Sequence, residues 1–169
     1  LMGNRGCLHD GERRLTGRRW TTRAWVTCVL SFNGRRRHLM TPGRYTELFF
    51  LDEATALAAG HRPCAECRRA DYLAFKALWA EGAGVAAASL PVAEIDRVLH
   101  ADRVEGRGKR TWRDRLGVLP EGTMVALGES AFLKWSGGLW AWSLGGYATA
   151  PSMADDTECT VLTPRSTVQ

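Results

Sequence analysis

Cys64 and Cys67 stand two residues apart in the stretch GHRPCAECRR, with Pro63 before them and Arg62, Arg68 and Arg69 around them. Thiolates at this spacing turn both sulfurs toward one ion when the backbone makes a tight knuckle or a helix start, and a structural zinc site takes four such donors. A helix opening after Cys67 aims its N-terminal amides and the positive end of its dipole at the sulfurs, which stabilises the thiolate form. Two sulfurs are half a site. The residues that can complete it are Cys7, His9, Cys28, His38 and His61. A redox pair is the rival chemistry, but that motif follows a strand in a βαβ unit, whereas the pattern here places it after a short helix and a turn. Five cysteines, an odd number without a signal-peptide pattern, argue against a disulfide framework.

The elements that must position these residues are legible in outline. RAWVTCVLSF (23–32) reads as a strand, Asn33-Gly34 as a type I′ turn in which both residues take positive φ, and RRRHLM (35–40) as the return strand. YTELFFL (45–51) reads as a third strand. Asp52 caps a short helix that stops on Gly60. A longer helix is expected from about Ala65 to Glu81, with Tyr72, Phe75, Leu78 and Trp79 on one apolar face. GAGVAAASLP (82–91) is a small-residue hinge, VAEIDRVLHADRV (92–104) a further amphipathic helix, and 105–117 a basic loop. Beyond it TMVAL, AFLKW and LWAWSL, separated by GES and SGG, form a β-meander that CTVLT (159–163) closes. Residues 1–19 read as irregular. The expected fold class is α+β: a zinc-binding hairpin and helix unit over 1–81, a linker over 82–91, and a helix plus small antiparallel meander or partial barrel over 92–169, the two halves being free to share a core.

Net charge is +5, unevenly spread. Residues 1–50 hold ten arginines against three acidic residues, and 97–115 hold seven basic residues against three acidic. Two basic segments point to a polyanionic partner. No run of apolar residues is long enough to span a membrane, and the cytoplasm is the expected compartment.

RYTELFFLDEATALAAGHRPCAECRR (44–69) resembles the second half of the zinc-binding N-terminal domain of Ada-type DNA methylphosphotriester repair proteins. The likeness lies in the paired aromatics Phe49-Phe50, the alanine-rich helix ending on Gly60, His61 in an aromatic's place, Arg62-Pro63-Cys64, and Cys67. It implies a zinc-bearing scaffold, DNA rather than RNA as partner, and DNA repair as context. In that family two cysteines four residues apart, one of them the methyl acceptor, precede the position of Arg44; here FNGRRRH stands there. The resemblance therefore carries the metal scaffold and leaves alkyl transfer to a zinc-bound cysteine as the alternative.

In the simplest hairpin register Cys28 and His38 point to opposite faces, because side chains alternate along a strand. The expected metal ligands are Cys7, Cys28, Cys64 and Cys67, with His38 or His9 as substitutes for Cys7 or Cys28, and the expected ion is Zn²⁺ in a structural role. The expected nucleic-acid contacts are Arg35, Arg36, Arg37, Arg44, Arg68 and Arg69, which grip phosphates without reading sequence. Arg18, Arg19 and Arg23 add charge before the first strand, and Trp20 and Trp25 offer surfaces for stacking on bases. Trp140 and Trp142 share one face of a strand, as a barrel core or as a second stacking platform, the core being the reading taken. His100, close in sequence to Asp96, Asp102 and Arg103, is the residue on which a phosphodiesterase would rest.

Overall fold

The computed structural model describes residues 1–35 and 38–168. In chain order the elements are β1 (Met2–Asn4), β2 (Val26–Cys28), β3 (Glu47–Phe49), α1 (Glu53–Ala58), β4 (Arg62–Pro63), α2 (Arg69–Gly82), α3 (Val92–Arg103), β5 (Val104–Glu105), β6 (Gly108–Lys109), β7 (Trp112–Arg115), β8 (Met124–Leu127), β9 (Ser130–Trp135), β10 (Gly138–Ser143), β11 (Gly146–Thr149), β12 (Glu158–Val161) and α4 (Arg165–Val168). This is an α+β fold with a C-terminal antiparallel sheet, as the sequence leads one to expect.

The N-terminal sheet runs β3-β1-β2-β4. Its centre is a surprise: Met2–Asn4, in a segment read as irregular, pairs antiparallel with both β2 and β3. Asn33 and Gly34 do take positive φ, 50° and 66°, and Arg35 N–H donates to the Phe32 carbonyl across the turn. The expected return strand does not follow. The described part of 35–40 is turn and irregular backbone, and the partners of β2 come from β1 and from β4 instead. Gly3, in β1, sits under the Phe50 and His61 rings, where any side chain would collide.

α1 is fixed at both ends by local chemistry. The Asp52 carboxylate accepts from Thr55 N–H at 2.8 Å, and the Thr55 hydroxyl accepts from Asp52 N–H, a reciprocal cap. At the other end Gly60 N–H donates to Leu57 and His61 N–H to Ala56, the paired bonds of a Schellman motif. Gly60 has φ +79°, and a Cβ there would strike the buried Arg103 side chain. Gly60→Ala is expected to cost at least about 2 kcal/mol, combining left-handed strain with overpacking; urea denaturation measures it, and a loss below about 0.5 kcal/mol would refute the fit described.

α2 begins at Arg69, four residues later than expected, because 65–68 forms a turn. Tyr72, Phe75, Trp79 and Ala80 face inward as the periodicity requires, but Leu78 is 69% exposed. Ala80, Leu90, Ile95 and Leu99 form one apolar core between α2 and α3. A second core, including Leu116, Leu119, Val125, Leu139 and Val161, lies on one face of the sheet β11-β10-β9-β8-β12-β7. β12 enters between β8 and β7, antiparallel to both. The stretch 105–117, read as a loop, contains the β5-β6 hairpin and β7. On β10 Leu139 faces the core, so Trp140 and Trp142, one residue out of phase, lie on the other face and are only half-buried. They are not the barrel core of the sequence reading.

Candidate metal centre and basic groove

The parallel pairing of β2 with β4 builds the cysteine cluster. Val26 stands beside Arg62 and Thr27 beside Pro63, and Cys64 N–H continues the ladder with a 2.9 Å bond to the Thr27 carbonyl. One further step in this register sets Cys28 next to Cys64. The chain then turns, Arg68 N–H reaches back to the Cys64 carbonyl at 3.2 Å, and Cys67 is carried to the same side. The sulfurs of Cys28, Cys64 and Cys67 lie within 4.8 Å of one another, a grouping that can hold a metal ion, and no other such group occurs among the described residues.

The protons on these sulfurs are unequally held. Burial pushes the Cys28 thiol well above the usual range, and the neighbouring Cys64 and Cys67 push it further. Burial acts on Cys64 the same way, but backbone N–H groups of Cys67 and Glu66 prevail and bring its pKa below the usual value. Cys64 is thus more readily a thiolate than Cys28, whose thiolate form a nearby cation would favour.

The other expected ligands lie elsewhere. Cys7 Sγ contacts the His9 carbonyl at 3.4 Å. His9 is buried, with Nδ1 2.6 Å from the Thr46 hydroxyl and Nε2 3.2 Å from the Thr41 carbonyl. A carbonyl only accepts, so Nε2 carries a proton toward Thr41. His38 is exposed. His61 packs among aromatic rings: its ring meets Phe50 edge-on at 4.7 Å and Trp25 at 5.5 Å. Burial, with Arg5 and Arg103 nearby, keeps its pKa well below that of a free histidine.

Several arginines are interior rather than surface groups. Arg68, expected on phosphates, is buried and bonds Glu53, Asp71 and the Thr27 hydroxyl. Arg62 meets Asp96 through two 2.8 Å bonds. Arg5 and Arg103 place their guanidinium carbons 4.0 and 3.8 Å from the Trp25 ring centre. The carbonyls that end α1 are shared among three cations: Lys109 on Ala58, Arg5 on Ala59 and Arg103 on Gly60, the favourable sign for a helix C-terminus. Burial still lowers Lys109 to about 8 and Arg103 to about 9. Of the remaining expected contacts, Arg35 pairs with Glu66, Arg44 and Arg69 are exposed, and Arg36 and Arg37 lie outside the described residues.

What sequence reasoning did not assemble is a second site. Arg107, at the tip of the β5-β6 hairpin, donates to the Gly17 carbonyl at 2.8 Å. This joins the two basic segments, and Arg18, Arg19, Trp20 and Arg107 line a groove of about 540 Å³ with Thr16 and Gly17. Trp20 is braced from behind by Trp25 at 6.1 Å and by His100 at 5.5 Å. The signal was in the charge count of both segments; their meeting was not.

His100 lacks the carboxylate partner its sequence neighbours offered. Its Nδ1 faces Arg103 at 3.3 Å, Asp96 belongs to Arg62, and Asp102 accepts from Ser166 N–H. Burial, Arg103 and Arg23 together lower its pKa.

Among the described residues no helix is long and apolar enough to cross a membrane. No family model, no curated protein and no solved structure matches the chain.

Proposed function

We propose that the protein is a zinc-stabilised nucleic-acid-binding protein with DNA as its ligand. The observation that carries this reading is the groove in which the two arginine-rich segments meet, with Arg18, Arg19 and Arg107 beside a braced tryptophan. Three arginines lining one concave surface suit a phosphate backbone, and the indole suits a base or sugar. Zinc fits the Cys28–Cys64–Cys67 cluster because soft thiolates at CxxC spacing select it over hard cations. It would pin β2 to the turn after β4. β2 follows directly on Trp25, so the same clamp steadies the floor on which Trp20 rests. The choice of DNA rests on the likeness of residues 44–69 to the Ada-type zinc domain.

Fluorescence anisotropy on labelled oligonucleotides at 50 and 200 mM salt tests the reading. Affinity should fall steeply with salt, and replacing Arg18, Arg19 and Arg107 together by Ala should flatten the log–log slope by about one for each phosphate no longer neutralised. Absence of salt-dependent binding to DNA or RNA would remove the reading.

A second reading has one observation in its favour: the three cysteines are half-exposed and open on a groove rather than sealed. A zinc-bound thiolate there would take a methyl group from a methylated phosphotriester, forming an S–C bond while the C–O bond breaks and the phosphodiester departs. Intact-mass analysis after incubation with methylated DNA should then show one methyl added to the protein.

A further inference from the structure

Three sulfurs do not fill a tetrahedral zinc site, and among the described residues no fourth His, Cys, Asp or Glu ligand atom joins the cluster within 4.8 Å. Cys7 and His9, two of the donors that would have closed it, are engaged elsewhere, and His38 is exposed. The open side of the cluster faces a groove of about 330 Å³. Val29, Phe32, Leu39 and Phe49 give it an apolar wall, while Asn4, Arg35, Glu47 and Glu66 bring polar and charged groups to it. Leu39 and Phe49 are large and more than half exposed, at 56% and 60%, so the groove offers uncovered apolar surface beside a soft donor set.

We propose that this site binds a small thiol with an apolar body, its sulfur taking the fourth position on the metal and its body lying along Phe49 and Leu39. The inference rests on the proposed metal centre and goes beyond it: the cluster is a ligand site as well as a clamp. A soft donor is matched to a metal already held by three thiolates, where a hard oxygen donor is not. Apolar walls favour a ligand that sheds water from a hydrocarbon surface as it binds. Binding here is coordination alone; the thiol proton passes to solvent and nothing is oxidised or transferred.

The test uses the full chain loaded with Co²⁺ in the absence of air, since cobalt reports its donors by absorption where zinc is silent. Phenylmethanethiol and 2-mercaptoethanol are titrated separately. The sulfur-to-cobalt charge-transfer absorption should rise by about one-third at saturation, as thiolate donors go from three to four. Phenylmethanethiol should saturate at a concentration at least about tenfold lower than 2-mercaptoethanol, from the apolar surface it buries. Phe49→Ser alters an exposed side chain, so the fold is not at stake; it should keep the cobalt spectrum and reduce that preference to about threefold or less. An unchanged spectrum on adding either thiol, or equal affinity for the two, overturns the proposal while leaving the metal centre standing. Failure to take up cobalt at all overturns both.

Discussion

Asp96→Ala is expected to destabilise the protein by about 3–5 kcal/mol, the cost of leaving a buried charge without its partner. Arg62 and Asp96 have side chains only 7% and 9% exposed, and the carboxylate accepts two parallel bonds from the guanidinium. Its loss reaches further than one pair. Arg103 lies close enough to feel Asp96 as favourable and Arg62 and Arg5 as unfavourable. The carboxylate therefore offsets a buried cluster of cations, and removing it leaves that cluster unbalanced. Urea denaturation reads the effect as a lower midpoint with an unchanged slope. Replacing both partners at once, Arg62→Met with Asp96→Leu, should recover most of the loss, because the desolvation cost disappears with the charges. A loss below about 1 kcal/mol for Asp96→Ala would contradict the burial described. Arg62 is also two residues from Cys64, so the single variant should weaken metal uptake as well.

The second large effect concerns the cluster itself. Cys28→Ser should lower zinc affinity more than about 100-fold, since loss of an outer-shell partner alone costs about 10–100-fold and this removes a ligand. Metal that binds the folded chain stabilises it by about 4 kcal/mol at a free concentration of about 1,000 times Kd. Chelation should therefore lower the wild-type melting temperature by several degrees and leave Cys28→Ser almost unmoved. Cys7→Ser and Cys159→Ser are the controls. Cys7 lies outside the cluster, and Cys159 is buried in the C-terminal core with its sulfur against the Asp114 carbonyl. Both variants should bind zinc as the wild type does. Metal analysis on the four proteins, with melts before and after chelation, checks the whole set.

How much of this was legible in the residues depends on whether the cause is local. Asp52, Thr55 and Gly60 fix α1 through bonds within a few residues, so its bounds can be read directly from the chain. The CxxC pair is local in the same sense. Cys28 was named as a candidate ligand and does lie in the cluster, but its route there was misread. An Asn-Gly turn promises a hairpin, and the turn forms, yet β2 gains more by pairing with Met2–Asn4 and with the short β4 that leads into Cys64. Both partners are two or three residues long, too short to carry a periodic signal, and both are remote in sequence. The arginines show the same limit from the other side. Charge counts found two basic segments, but cannot say that Arg62, Arg68 and Arg103 are interior while Arg18, Arg19 and Arg107 share a groove. Burial of an arginine depends on a distant partner, Asp96 or Glu53, which composition does not reveal.

The most direct test of the metal centre is X-ray absorption at the zinc edge on the purified chain supplied with one equivalent of zinc. One zinc is expected, with three sulfurs at about 2.3 Å and a single further donor. That signal should be lost in Cys28→Ser and kept in Cys7→Ser. A well-folded chain that holds no zinc, or zinc whose sulfur signal depends on Cys7 and not on Cys28, would contradict it.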